Sequence, residues 1–359
     1  MKTRMFLTML VALAAFSSCS KDEDPAPLTK EQAKAEVVTL KANYATEMKA
    51  MDNNEGVKVL ESFDGLNLPF ELPGGEMSRS QINAFYSNVE QVKSSDISSL
   101  KRSIGEYDDT FVFKDYVGTW EWNGNTKEFK KTSTTPSDKI VLKFPYPSNS
   151  ATNNAVYTIT KSSFTSESDG GEFAANITLS GSEVYNISLS ASGGNSFSSL
   201  NYNSKTVYTS LTTPKVSYEH NNSMNISGSD SKLSVKASYS VKKNGEIVLA
   251  GDYDVTSSTS NNAATVVMKS TLRIVNIKFV YEVSYSANSG DGSASMNQNI
   301  KMGVYKVDGA KIGDIKYESV NGTVVAIFYY TSGEKVPALE LFGDVFKAWN
   351  DLYGKMLKF

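Results

Sequence analysis

The sequence predicts an α+β fold: N-terminal helices, then a large curved antiparallel β-sheet (barrel, half-barrel or sandwich-like), closed by a C-terminal amphipathic helix. Three observations predict it. Apolar residues recur at spacings of three and four up to about residue 105, the period drops to two across 106–332, and it returns to 3.6 from 333 onward. Behind a leader at 1–18 and a tether at 19–28, the chain therefore reads as a helical region (29–105), an antiparallel β region (106–332) and a closing helix (333–359), together one compact domain.

Thr29 with Gln32 three residues on forms a capping box, which starts the first helix. Ala33, Val37, Leu40, Tyr44, Met48 and Met51 then line one face, and Asn53, Asn54 and Gly56 end or interrupt the helix. Residues 64–76 carry prolines and glycines over an apolar stretch and read as a packed loop. Ser78 caps a second helix with Ile82, Phe85, Val89 and Val92 on one side, and Leu100 and Ile104 add a further turn or two.

Strand-like text begins at Phe111-Val112-Phe113. The run Gly118 to Trp122 leads into Asn123-Gly124, a dipeptide that tolerates the positive φ of a type I′ hairpin turn. From Ile140 to Tyr330 one strand follows another, with alternation at Val156-Thr158, Ile177-Leu179, Tyr185-Ile187-Leu189 and Leu233-Val235-Ala237-Tyr239-Val241. Asn244-Gly245 and Asn321-Gly322 supply two more hairpin turns, and Val266 to Tyr285 reads as one long β-branched stretch. Past Gly333 and Pro337, the residues Phe342, Val345, Phe346, Trp349, Leu352, Tyr353 and Met356 make an amphipathic helix. Its polar face mixes acids and lysines, so it suits docking on a sheet better than an anionic lipid surface.

Composition excludes several function classes. The formal charge is −3, and loss of 1–18 removes Lys2 and Arg4 and makes it −5, so no basic excess exists to hold nucleic acid. One cysteine and one histidine leave no internal disulfide, no zinc set and no metal cofactor built on them. His220, in Tyr218-Glu219-His220-Asn221-Asn222, reads as a solvated turn histidine rather than a triad member. The stretch Asn288 to Ser293 lacks the glutamate of a calcium loop and reads as a hairpin tip. Asp108, Asp109, Asp115, Glu121 and Glu219 are the acids that could pair for glycoside hydrolysis, and nothing in the sequence selects one pair.

Trp120 and Trp122 stand at i and i+2, on one face of a strand beside a turn. They are either a core plug or a platform on which a sugar ring stacks. Gly118-Thr119-Trp120 also resembles the Gly-x-Trp near the start of lipocalin barrels, although a helical region precedes it here.

Cys19 follows Lys2, Arg4, an apolar run from Met5 to Phe16 and the small pair Ser17-Ser18. This layout is that of a secretory signal. Its apolar run of about 12 residues is too short to span a bilayer, which takes ~20. Leu13 to Cys19 resembles the lipobox of bacterial lipoproteins, with Phe16 where that family usually carries Leu. The run after it, with Lys21, Asp22 and Glu23, resembles the surface-export signal of Bacteroidota lipoproteins. The resemblance implies a diacylglyceryl group on Cys19, cleavage just before it, and an outer-membrane protein facing the exterior. Ordinary signal-peptidase cleavage after Ser17 is the competing outcome.

The expectation is thus a surface-anchored lipoprotein with a non-catalytic binding or structural role and no cofactor. Its partners would be the membrane, through the anchor, and a glycan or lipid-like ligand, but no nucleic acid. The alternatives are a hydrolase with paired carboxylates and an adhesion or assembly component.

Overall fold

A computed structural model describes residues 25–70, 112–163, 170–193, 199–229, 231–260, 263–288, 300–320 and 323–345. The expected helix from Ser78 and the parts of the C-terminal helix after Val345 lie outside these residues. So do Cys19, Lys21, Asp22 and Glu23.

The described helices are α1 (Lys30–Asp52), α2 (Glu55–Asp64), α3 (Phe113–Tyr116) and α4 (338–345). The strands are β1 (Gly118–Asn123), β2 (Glu128–Ser133), β3 (Ile140–Phe144), β4 (Ala155–Ser162), β5 (Gly170–Leu179), β6 (Ser182–Ser192), β7 (Ser199–Thr209) and β8 (Ser217–Ser229). They continue as β9 (Lys232–Lys243), β10 (Glu246–Ser260), β11 (Ala263–Ile274), β12 (Ile277–Asn288), β13 (Ile300–Lys306), β14 (Lys311–Val320), β15 (Thr323–Tyr330) and β16 (Lys335–Pro337).

The α+β class with one large antiparallel sheet is what the structure shows. The strand order runs β16 back to β3 in sequence, then β1 and β2. It is open, with β16 and β2 as its terminal strands, so the closed barrel among the expected forms is excluded. One pairing departs from the meander: β1 lies parallel to β3, because the chain leaves β2 and returns on the other side of β1.

The chain forms two compact units. The first holds α1 up to Lys49, Ser223–Val241, and the described residues from Glu246 to Val345. The second holds the described residues from Ala50 to Asn222, together with Lys242–Gly245.

In the first unit the capping box forms as expected. Gln32 N donates to Thr29 Oγ1 at 3.3 Å, and Thr29 N donates to Gln32 Oε1 at 2.9 Å. The α1 stripe of Ala33, Val37, Leu40, Tyr44 and Met48 is buried along its whole length. Phe342 of α4 is also fully buried, edge-on to Phe279 at 5.1 Å and to Phe328 at 5.6 Å. The expected stretch Val266 to Tyr285 is broken in the structure into β11 and β12. Val275 turns the chain at φ 50°, and Val275 N donates to Val248 O at 2.8 Å. A valine in that conformation is no turn signal, since its β-branch disfavours positive φ.

Asn53 and Asn54 interrupt the helical text as expected, since α1 stops at Asp52, and in the second unit Asn54 and Gly56 also restart it as α2. The Asn54 side chain accepts from Gly56 N at 2.9 Å and caps α2. Gly56 is there for space: a Cβ on it would fall 2.1 Å from Val184 O, so α2 starts directly against β6. Val57, Val59, Leu60 and Phe63 are buried behind it. The expected strand at Phe111-Val112-Phe113 is not formed at 112–113; Phe113 opens the short α3.

The hairpin turns differ in kind. At Asn244-Gly245 both residues have positive φ, 49° and 92°, as a type I′ turn requires. At Asn123-Gly124 the loop is longer. Asn123 Oδ1 accepts from Asn125 N and Thr126 N, Lys127 N donates to Asn123 O, and the positive φ falls on Lys127. The third dipeptide, Asn321-Gly322, lies outside the described residues, with Val320 and Thr323 paired across it.

Candidate functional site

The sheet of the second unit sorts its side chains by face. Glu121 on β1 accepts from Lys143 Nζ at 2.8 Å, and Glu219 on β8 pairs with Lys205 at 2.7 Å and Lys242 at 3.8 Å. Strand alternation puts the neighbouring residues on the other face. There the registers align a transverse row: Trp120 with Leu142, Leu142 with Tyr157, Tyr157 with Ile177, Ile177 with Tyr185, and Tyr185 with Tyr208. The ring of Tyr208 then meets His220 of β8 edge-on at 5.3 Å.

This row is dense and mostly buried. Tyr185 and Tyr208 lie 5.5 Å apart, and Phe63 of α2 covers Tyr157 at 4.7 Å and Phe144 at 5.0 Å. Burial raises the phenol pKa values of Tyr157, Tyr185 and Tyr208 well above the ordinary range. Tyr185 is raised further by the phenols of Tyr208 and Tyr157, which places three hydroxyl-bearing rings in one neighbourhood.

His220 is not a solvated turn residue. It stands within β8, two residues from the fully buried Tyr218 on the same face, and burial pushes its pKa down to about 4. The residue as a whole keeps some exposure, but Nε2 is sealed from solvent and has no hydrogen-bond partner. At neutral pH it is an uncharged imidazole with an unmet hydrogen-bonding atom. Next along the same face, Asn222 Nδ2 donates to Ser204 Oγ at 3.1 Å, and Ser204 also bonds the largely buried Tyr202 hydroxyl.

Trp120 and Trp122 share the face of the row at its outer end. Trp120 Nε1 donates to Tyr116 O at 2.8 Å, and the Lys131 ammonium lies 5.4 Å from the ring centroid. Trp122 meets Phe129 edge-on at 5.3 Å. Both indoles are half-buried, so they are packed on their flanks without being a sealed core. Asn153 Nδ2 donates to Trp122 O and ties the strand end to the β3–β4 connection.

The carboxylates are arranged less favourably for acid–base work. Hydrogen bonds from Lys205 and Asn221 hold Glu219 below the usual carboxylate range, opposite to what a general acid at neutral pH needs. Asp115 is exposed on α3, and Asp108 and Asp109 lie outside the described residues. Among the described residues no group of three or more His, Cys, Asp or Glu side chains could hold a metal ion.

Sequence reasoning found the tryptophans and missed the row that they end. Tyr157, Tyr185 and Tyr208 carry no motif. Their only trace is a tyrosine on the buried side of three separate strands, and the registers that align them are set by turns and bulges. Comparison with protein-family models, with curated proteins and with solved structures found no match for this chain.

Proposed function

We propose that this chain is a lipid-anchored outer-membrane protein facing the exterior, and that it binds a neutral, hydroxyl-rich ligand of the glycan class without transforming it. The anchor would be a diacylglyceryl group on Cys19, with Lys21, Asp22 and Glu23 as the export signal. The ligand would lie where the tyrosine- and histidine-bearing face of the second unit is part-exposed, at Tyr202, Ser204, His220 and Asn222, since Tyr157, Tyr185 and Tyr208 are sealed in the core.

The observation that carries the ligand class is His220. Its buried, unpartnered Nε2 stands beside a tyrosine row and an Asn222–Ser204 pair, and the half-buried Trp120 and Trp122 end that row. Aromatic faces with a few fixed neutral donors and acceptors are what a ring bearing hydroxyls needs. Around His220 the described side chains of this face, Tyr202, Ser204, Tyr208 and Asn222, are neutral, which suits an uncharged ligand. A wholly apolar ligand would leave the imidazole unsatisfied at a cost of about 1–3 kcal/mol. A hydrolase reading gains no support from Glu121 and Glu219, which answer lysines on the opposite face.

Native mass spectrometry of the protein purified from its host, followed by a glycan panel, tests the ligand reading. A co-purified or added glycan should raise the mass, and a clean apo mass with no shift across the panel overturns it. For the anchor, Cys19→Ser should abolish palmitate labelling and release the protein from membranes.

A further inference from the structure

We propose that the end of the first unit formed by the β11–β12, β13–β14 and β15–β16 turns is the surface that rests on the lipid bilayer. The occupant of this surface is the membrane that holds the acyl chains of Cys19, so the proposal rests on the anchor reading above.

The argument starts from where the chain becomes fixed. Of the tether expected over 19–28, residues 25–28 lie against the β13–β14 and β15–β16 turns. Leu28 N donates to Lys311 O at 2.9 Å, Thr331 Oγ1 donates to Leu28 O at 2.6 Å, and Pro25 packs beside Gly309. The first turns of α1 are fastened to the same end. Lys30 pairs with Glu334, while Glu36 accepts from Lys306 Nζ at 3.1 Å and from Asn276 Nδ2 at 2.6 Å. The turns at Val275-Asn276, 307–310 and 331–334 thus share one strand end and one point of chain entry.

Cys19 and Pro25 are six residue steps apart in the chain, which span at most about 20 Å when fully extended. Strands β11 and β12 run 12 residues each, so their far ends lie ~40 Å from the turns at ~3.3 Å per residue. The tether therefore keeps the turn end beside the bilayer, and the far end, near Ser258 on β10, lies beyond its reach unless the sheet lies flat. Val307 at the tip of the β13–β14 turn is a large apolar side chain left 42% exposed. Its neighbours Lys306 and Lys311 pair with Glu36 and Asp308 and with Asp314, as Lys236 pairs with Asp254 and Lys269 with Glu282 along the strands, so the apolar tip and the chain entry, and not net charge, mark this end for the headgroup layer.

Lipidation consumes the only native thiol, so one introduced cysteine is the sole site for a label. Val307→Cys and Ser258→Cys, both at exposed positions, carry a fluorophore on the full lipidated chain. The protein is reconstituted in phosphatidylethanolamine–phosphatidylglycerol vesicles containing a headgroup nitroxide lipid. Severalfold stronger quenching at 307 than at 258 is the expected result. Equal quenching at both sites, stronger quenching at 258, or none at either site in protein that floats with the vesicles overturns the orientation and leaves the anchor standing. Failure of the wild type to float, or flotation of Cys19→Ser, overturns the anchor reading and the orientation with it.

Discussion

Each unit has a row of tyrosines across its buried face, and the two rows are completed in different ways. In the first unit the registers align Tyr253, Ser270, Tyr281 and Met302, all buried, in the unit where α1 and α4 bring apolar stripes. In the second unit the row runs through Tyr157, Tyr185 and Tyr208 to His220, and the face continues with Asn222, Ser204 and Tyr202. Both rows leave a polar atom without a partner: Ser270 Oγ in one, His220 Nε2 in the other. Ser270 is a small residue aligned between two tyrosines, so only one hydroxyl is left unmatched there. An imidazole is a large polar group where an apolar ring of similar size would fill the same space. The difference teaches that the first row is a sealed core and the second has been kept polar at a cost.

If the first row is a sealed core, its helix closure should be worth the most. Phe342→Ala removes a fully buried ring from between Phe279 and Phe328 and should cost about 3–5 kcal/mol in a urea titration. A loss under 1 kcal/mol would mean that α4 does not seal the row. In the second unit, Gly56→Ala should cost about 1–3 kcal/mol, because its Cβ meets Val184 O and pushes α2 off β6. Gly65→Ala is the matched control: its φ of −77° is ordinary and its nearest contact is 3.8 Å, so it should be close to neutral.

His220→Phe is the variant that separates a site from a core. It removes an unpartnered buried polar atom and keeps a ring against Tyr208, so stability should rise by about 1–2 kcal/mol. Ligand retention in native mass spectrometry should fall at the same time. A rise in stability with ligand binding intact would break the comparison and return the second row to the class of cores. The pH dependence has a definite sign. The folded pKa of about 4 lies below the ordinary 6.5, so between these values the unfolded chain binds the proton more readily. His220 therefore makes stability fall as pH drops from 6.5 toward 4, by about 1.4 kcal/mol per pH unit. Glu219, held below the usual carboxylate range by Lys205 and Asn221, contributes stability that is also lost as pH falls through its lowered pKa, and the His220→Phe variant isolates the two contributions.

Local signals in the sequence were legible because they close within a few residues. The Thr29–Gln32 box, the α1 stripe, Asn244-Gly245 and the apolar start of α4 at Phe342 and Val345 all belong to that kind. What could not be read depends on partners far along the chain. Gly56 looks like a breaker until Val184 O is placed beside it, and Val275 looks like strand interior until Val248 O accepts from it. His220 looked solvated because its neighbours Glu219 and Asn221 are polar, yet alternation sends those two to the ion-paired face. The candidate site was half legible: the tryptophans announce themselves by composition, whereas the tyrosines become a row through registers that include irregularities between Ile159 and Lys161 and between Ile177 and Thr178.

The smallest expected effect is the most discriminating against His220. Ser270 is fully buried, its Oγ has no partner, and Tyr253 and Tyr281 stand across from it on either side. Ser270→Ala deletes one oxygen and leaves the rings where they are. If no water satisfies that hydroxyl, removing it should be neutral to stabilising, by up to about 1 kcal/mol, in the same urea titration. Ligand binding in the second unit should not change at all. A loss of stability would instead place a buried water between Ser270 and another group of that face, since such a water is costly to remove. The Tyr44 hydroxyl, likewise buried without a partner in the same unit, is the group to test next, as Tyr44→Phe alone and with Ser270→Ala. A non-additive pair would show that one water serves both, and the first row would then share with the second the habit of keeping polar atoms for something other than protein.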